Sequence, residues 1–405
     1  MSGNALRPAD ENELREIVRA AIAEKRTLEV RGAGTKRGLG RPVSADAPLD
    51  LTRLAGVKTY EPEELVLTAG AATPLAEIER LVAQKGQRLA FEPPDYAPLY
   101  GGAAGRQTLA GVVATNLAGS RRVSAGAARD HFLGFRAVNG RGESFKAGGQ
   151  VVKNVTGYDL CKLLAGSYGT LALLTEMTVK ILPVAETEAT LVLSRLSDET
   201  AMRAMADAMG SAFEVSAAAH LPETIAAGVV YQADGAATLL RLEGPPPSVE
   251  ARVEGLRALL RPHGAAERLS PSDSKLVWRA LANAEPFTHD LEHPLWRLSV
   301  PPSSGASTVQ AIAQSLDASF FFDWGGGRIW LELRGALPDA GAAIVRASVA
   351  KSGGHAVLVR ASEETRRATA PFDPGASGLF ALSKRVKAGF DPLGLFNPGR
   401  MYKGV

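Results

Sequence analysis

The chain holds a single cysteine, Cys161, among its 405 residues. One thiol excludes an intramolecular disulfide and any metal or iron–sulfur site built from cysteines alone. Cys161 lies in an apolar, helix-spaced stretch and reads as a buried structural thiol. A surplus of one charge is also missing: 46 Lys and Arg stand against 43 Asp and Glu, for a net charge of +3. No basic run exceeds three residues, so no nucleic-acid groove is expected. Long apolar runs are absent, and the opening residues MSGNALRPADENELREI contain no apolar leader. The expectation is a cytoplasmic protein with no direct membrane insertion, reaching a membrane only through partner subunits.

What is present is an ordinary globular mixture, 45% apolar and 22% charged, in a chain long enough for two or three domains. Asp10 and Glu13 form a capping-box pattern ahead of a helix whose apolar face is Leu14, Ile17, Val18, Ala21 and Ile22. Strands are expected at 27–31, 57–60 and 65–69, then a helix over 75–82 closed by Gly86. Residues 91–119 change to Pro, Gly, Ala and Thr without periodicity, and so long an irregular stretch is usually functional. Strands at 132–139 and 144–147, a short helix over 158–164 and an apolar strand over 171–182 follow. Beyond Pro183, strands (190–194, 238–242, 296–300, 319–323, 328–333, 355–360) alternate with helices (199–209, 249–260, 307–316, 342–351). The loops EGPPPS and VPPSSGAS hold equivalent places, which points to two βαβ-type halves sharing one antiparallel sheet with helices on one side. The last 26 residues read as a helix and a turn-rich tail that must dock to stay ordered.

The stretch TLEVRGAGTKRGLGRP is a strand running into a glycine loop. Counting from Gly32, the third glycine of a dinucleotide fingerprint falls on Arg37, and KRGLGRPV cannot open a long helix. A Walker loop is absent as well. What remains is a Gly-Ala-Gly turn whose N–H groups can form an anion nest, although by itself it fits a plain strand-to-loop turn equally well. GRQTLAGVVATNLAGS adds a second small-residue segment, with Thr108, Thr115 and Asn116 as polar members. Together the two fit an extended cofactor bearing both a pyrophosphate and an aromatic ring.

In order along the chain, VRGAGTK, TLAGVVATNLAGS, GAARDHFLG, VKNVTGYDLCKLLAGSYGTLALLTEMTVKI and DPLGLFNPGRMY resemble the motifs of the FAD-linked oxidases. These are the vanillyl-alcohol-oxidase type flavoproteins, here in the branch of D-lactate and glycolate dehydrogenases. The motifs cover roughly the first 183 residues and the last 15. The resemblance implies an α+β fold: a two-part PCMH-type FAD-binding domain over 1–183, and a ferredoxin-like α+β cap with an antiparallel sheet over 184–378. Residues 379–405 would return to the FAD site. By position, Arg31, Gly32, Ala33, Gly34 and Thr35 would wrap the pyrophosphate. Thr108, Gly111, Ala114, Asn116 and Gly119 would line the pyrophosphate and isoalloxazine. Gly126, Asp130 and the turn before Thr175 would face the ribityl and adenine parts, and Asn397 the flavin ring. The first loop has no histidine, so the FAD would be non-covalent.

Catalytic members of that branch carry a cap motif H-x-H-x-G-D-G-N-x-H that can hold a metal. The corresponding place here is FFFDWGGGRIWLEL, where Asp323, Trp324 and Arg328 stand without an imidazole to act as base or metal ligand. No metal is expected. The chain therefore resembles the smaller FAD-binding subunits of bacterial glycolate oxidases, which accompany a larger flavoprotein subunit and an iron–sulfur subunit. The implied function is oxidation of a small hydroxy acid, glycolate to glyoxylate, with electrons passing through flavin to partner subunits. The chain would itself be accessory; a self-sufficient flavin dehydrogenase of a hydroxy acid or alcohol is the alternative. His289 and His293 sit between Pro286 and Pro294 and read as a solvated loop, and His131 as structural. Arg241, Arg297 and Arg328 could each grip a carboxylate bidentately, and the sequence does not choose among them.

Overall fold

A computed structural model describes residues 5–149, 157–231, 233–373 and 375–404; the VVKNVT part of the fourth motif lies outside these. Among the described residues, no helix is long and apolar enough to cross a membrane. The first helix runs Glu11–Glu24, with the Asp10 carboxylate accepting the N–H groups of Asn12 and Glu13. Glu13 reaches back one residue further than a capping box requires, accepting from the N–H of Ala9 at 2.8 Å. Its face of Leu14, Val18 and Ala21 packs on the parallel strands Leu28–Arg31 and Ala47–Asp50. The C-terminal tail completes this small unit: Leu28 donates its N–H to Leu395 O at 2.7 Å and accepts from Asn397 N at 3.0 Å.

Beside it lies an antiparallel five-stranded sheet, ordered Val57–Glu61, Val66–Gly70, Ala172–Lys180, Phe132–Asn139 and Ser144–Gly148. The helices Leu75–Ala83 and Leu109–Val113 cover its core.

The remainder forms an eight-stranded sheet. Its first half is ordered Ala266–Arg268, Thr187–Ser194, Ala237–Gly244, Ala217–Leu221, and its second Ala318–Asp323, Arg328–Leu333, Leu295–Ser299, His355–Arg360. Numbered by sequence within each half, the orders are 4-1-3-2 and 2-3-1-4, so each half is a ferredoxin-like unit. They meet through one antiparallel pair, His220 with Phe322. Alternation assigns the faces. Trp296, Leu298, Phe322, Ile329 and Leu331 pack under the helices Asp198–Met209, Pro246–Leu260, Gly305–Ala313 and Ala342–Lys351. Leu295, Phe321, Trp330, Val357 and Val359 instead share a core with the FAD-type part.

Among the elements not expected from sequence are a strand and a helix of the second half. Ala217–Leu221 is a fully buried strand although alanine is a poor strand former, because partners on both sides complete its ladder. Pro271–Asn283 is a helix whose start signal was readable: Ser270 caps it by accepting from Asp273 N, and Pro271 stands first. The polar joint between the two sheets is a buried ion cluster. Arg241 grips Glu92 bidentately at 2.8 and 3.0 Å, and Arg121 grips Glu243 at 2.6 and 2.7 Å. Arg88 adds a contact to Glu243 at 2.8 Å.

Candidate functional site

The strand Leu28–Arg31 delivers the chain to the glycine loop. A Cβ on Gly32 would stand 2.8 Å from Thr108 Oγ1, so glycine alone lets the loop lie against the start of helix Leu109–Val113. Gly34 has φ +74°, in the left-handed region. The N–H groups of Ala33, Gly34, Thr35 and Lys36 find no acceptor among the described residues. These residues line a cleft of about 880 Å³, counted with its open mouth. A second cleft shares Ala33, Gly34, Thr35, Arg37 and Arg400 and runs on past Tyr100 and Arg366, so the loop stands in the middle of one elongated trough.

Two cations missed in the sequence complete the loop. Lys36 is 6% exposed, and its Nζ donates to Gln107 Oε1 at 3.0 Å. Nζ lies 4.0 Å from where a Cβ on Gly111 would be, on the cleft side of that helix. Burial pushes the ammonium down to about 8, against the opposing pull of Asp95. Arg400 donates Nη2 to Lys36 O at 2.8 Å, while its buried Nε has no partner. The motif FNPGRMY had drawn attention to Asn397 rather than to this arginine three residues on. The signal for Lys36 was its place one residue past the nest, and a lysine so placed is ordinarily solvated.

Of the residues expected at the site, Arg31 to Thr35, Thr108, Gly111, Ala114 and Asn397 line the same cleft. Asn397 does so with its amide fully committed. Its Oδ1 accepts from Val30 N at 2.8 Å, and its Nδ2 donates to Tyr168 O at 3.0 Å. Asn116, Gly119, Gly126, Asp130 and Thr175 are absent from the cleft lining. Asn116 Oδ1 accepts from Arg129 N at 3.0 Å, and Gly119 is pressed on Glu92, whose Cβ would be 2.7 Å from an added methyl. Gly126 (φ +84°) arches over Asp130, whose carboxylate accepts the Ala127 N–H at 2.9 Å. Thr175 donates to Glu11 Oε2 at 2.8 Å. Each of these five instead makes or meets a contact within the protein.

The histidine-free turn is a clamp. Buried Asp323 accepts from Ser120 Oγ at 2.8 Å and pairs with Arg328. Trp324 donates Nε1 to Gly119 O at 3.0 Å, and Arg328 donates to Ala118 O at 2.9 Å. The segment NLAGS is thus pinned to the eight-stranded sheet. His293 lies 3.3 Å from Asp290 in the loop ahead of strand Leu295–Ser299. His131 is buried, with Nε2 against Ala125 O at 2.8 Å. Cys161 is 3% exposed, and burial pushes its thiol up to about 12, which leaves it inert.

An FAD binding domain family matches residues 4–148. The chain is 34% identical over 390 residues to glycolate oxidase subunit GlcE of Escherichia coli K12, covering 96% of each protein. It is 25% identical over 434 residues to glycolate oxidase subunit GlcD of Bacillus subtilis, covering 99% of this chain and 89% of that one. In fold it resembles p-cresol methylhydroxylase with a TM-score of 0.70 at 12% identity, over 98% of this chain and 88% of that one. Full-length similarity, the matched FAD domain and the shared α+β architecture together establish that the chain belongs to the family of FAD-linked oxidoreductases that contains GlcE.

Proposed function

We propose that this chain is the FAD-binding subunit of a complex that oxidises glycolate, or a close 2-hydroxy acid, and passes the electrons to partner subunits. The observation that carries the reading is the row of unpaired N–H groups at Ala33 to Lys36, flanked by two buried cations in the middle of a trough. Such a donor set fits a diphosphate, and the trough running both ways from it fits a long dinucleotide. In this assignment Arg31 to Lys36 and Arg400 hold the diphosphate, and Thr108, Gly111 and Ala114 let the helix approach it. Asn116, Gly119, Gly126, Asp130 and Thr175 shape the wall from behind, and Asn397 locks the tail beneath the ring. The cofactor is taken as held without a covalent bond, in keeping with the lack of histidine in the first loop. The units are taken as 1–183 for FAD, 184–378 for the cap and 379–405 for the returning segment.

When bound, FAD supplies an acceptor for a hydride from the α-carbon of the hydroxy acid. The turn at Asp323–Arg328 offers no neutral imidazole to take the hydroxyl proton, since its carboxylate is spent on Ser120 and Arg328. The chain is accordingly accessory, and oxidation takes place on a partner. That partner is a larger flavoprotein subunit, with an iron–sulfur subunit beyond it. Two relatives carry the word subunit in their names, in keeping with a multi-subunit assembly.

The purified chain should be yellow, release its flavin on acid precipitation, and keep its absorbance when glycolate is added without oxygen. Co-expressed with the partner subunits it should bleach. Bleaching of the lone chain at a catalytic rate would overturn the accessory role, and a colourless protein would overturn the cofactor. Gly34→Val should abolish FAD uptake, because a β-branched residue at φ +74° forces the nest open.

A further inference from the structure

The cofactor cleft reaches the surface through a stack of aromatic rings. Tyr168 stands in the cleft wall at the glycine loop. Its ring meets Phe372 edge-on at 4.9 Å, Phe372 lies 6.2 Å from Tyr402, and Tyr402 meets Phe380 edge-on at 5.9 Å. Tyr168 and Phe372 are buried, while Tyr402 and Phe380 are half-buried. Phe380 belongs to helix Ser377–Phe390, so the four rings run from the cleft to that helix. Lys384, one turn on, holds its Nζ 4.7 Å over the Phe380 ring.

The helix itself is poorly covered. Of its 14 residues only Lys387 is buried. Leu379 and Leu382, three residues apart on one side of the helix, stand 59% and 46% exposed. Apolar side chains left in water and edged by charge mark a protein contact. Residues 375–390 contain no Asp or Glu, against the cations Lys384, Arg385 and Lys387. Lys387 is spent inward on Asp391, whereas Lys384 and Arg385 form no ion pair among the described residues. A second copy of the chain, paired helix to helix, would set these like charges against each other. The charge therefore selects a partner that is acidic where this surface is basic. Electron tunnelling falls off steeply with distance and runs best through packed atoms. An electron acceptor thus gains most by docking where packed rings lead out of the cleft.

We propose that the exposed surface of helix Ser377–Phe390, with Leu379, Leu382, Lys384 and Arg385, docks a one-electron-accepting partner protein whose apolar patch is rimmed by carboxylates. In the complex proposed above, the iron–sulfur subunit is that acceptor. The inference rests on the FAD reading, since a ring stack conducts nothing unless a reducible cofactor fills the cleft. For each electron pair taken up in the cleft, two electrons leave singly, two equivalents of acceptor are reduced, and the accompanying protons pass to water.

The complex co-expressed from all its subunits tests this. Leu379→Glu combined with Leu382→Glu should cut retention of the iron–sulfur subunit on size exclusion at least tenfold, with FAD content and melting like the parent's. Leu276→Glu, at a leucine 52% exposed on helix Pro271–Asn283, should leave the complex whole. Added salt should weaken the parent complex, and Arg385→Glu should weaken it at low salt and flatten that dependence. Phe380→Leu should keep the complex and slow, severalfold, the passage of electrons from the photoreduced flavin to the iron–sulfur subunit. Full retention of that subunit by the double variant and by Arg385→Glu would overturn the surface. Loss of the larger flavoprotein subunit or of a self-dimer in its place would overturn the occupant, and undiminished transfer in Phe380→Leu the route. A parent chain without FAD would overturn the cofactor reading instead, and subunit retention, which needs no flavin, then decides the surface separately.

Discussion

Lys36 shows how burial changes the chemistry of an ordinary residue. In water its ammonium would stay charged to pH 10.5, but under the loop it is held at about 8. A bound diphosphate favours the charged form and draws the proton back. FAD affinity should therefore hold steady below pH 8 and fall as pH rises above it, by at most about tenfold per unit. Lys36→Met should bind FAD more weakly at pH 7 and show a flat profile from pH 7 to 10, read by flavin fluorescence quenching. A parent profile flat over that range would remove Lys36 from the diphosphate site. The sequence displayed the lysine, but its burial depends on Gln107 and Gly111, some seventy residues away. Gly34, by contrast, was legible because a glycine loop after a strand states its own backbone requirement.

Among elements, the C-terminal segment is the most revealing. A tail rich in Gly, Pro and Asn frays unless it docks, and this one docks by polar contacts as well as by Leu395 and Phe396. Lys387, near the end of helix Ser377–Phe390, donates to Thr170 O at 2.6 Å, Asp391 Oδ2 at 2.7 Å and Phe396 O at 3.1 Å. Asn397 then ties the tail to Val30 and Tyr168, on either side of the cleft. Asn397→Ala should cost about 2–3 kcal/mol by leaving buried groups unpaired. The tail should become open to proteolysis and FAD affinity should drop, while the eight-stranded sheet keeps its spectroscopic signature. The clamp at Asp323–Arg328 carries the complementary lesson. Its lack of histidine was plain in the sequence, but that it grips Ala118, Gly119 and Ser120 was not. A segment in one sheet cannot announce a partner two hundred residues away.

At the scale of the molecule, two sheets are joined through a cluster of two carboxylates and three arginines. Arg121 and Arg241 hold the Glu243 carboxylate well below its usual range, and Glu92 is lowered in the same way, each against the desolvation that opposes it. Carboxylates so depressed stabilise the fold fully above their unfolded pKa near 4.5, and that stability is lost as pH falls below it. Glu243→Gln leaves the Arg121 guanidinium short of its partner and should destabilise the protein by about 3 kcal/mol at pH 7. Its midpoint in urea should then vary less with pH between 5 and 3 than the parent's. Equal pH dependence in both proteins would show that the cluster does not govern acid stability.

The sequence by itself determined the class of fold, the glycine loop at Gly32 to Thr35, the βαβ rhythm of the second half and the missing histidines. Each of these depends on neighbours within a few residues, through backbone conformation, periodicity or chemical type. Only the tertiary structure decided which expected residues meet in one cleft, that Asn116, Gly119, Gly126, Asp130 and Thr175 are absent from its lining, and that Lys36 and Arg400 join it. It alone spent Arg241 on Glu92 and Arg328 on Asp323. A guanidinium's availability depends on which carboxylates the fold brings beside it, and those contacts span from five residues, for Arg328 and Asp323, to 149, for Arg241 and Glu92.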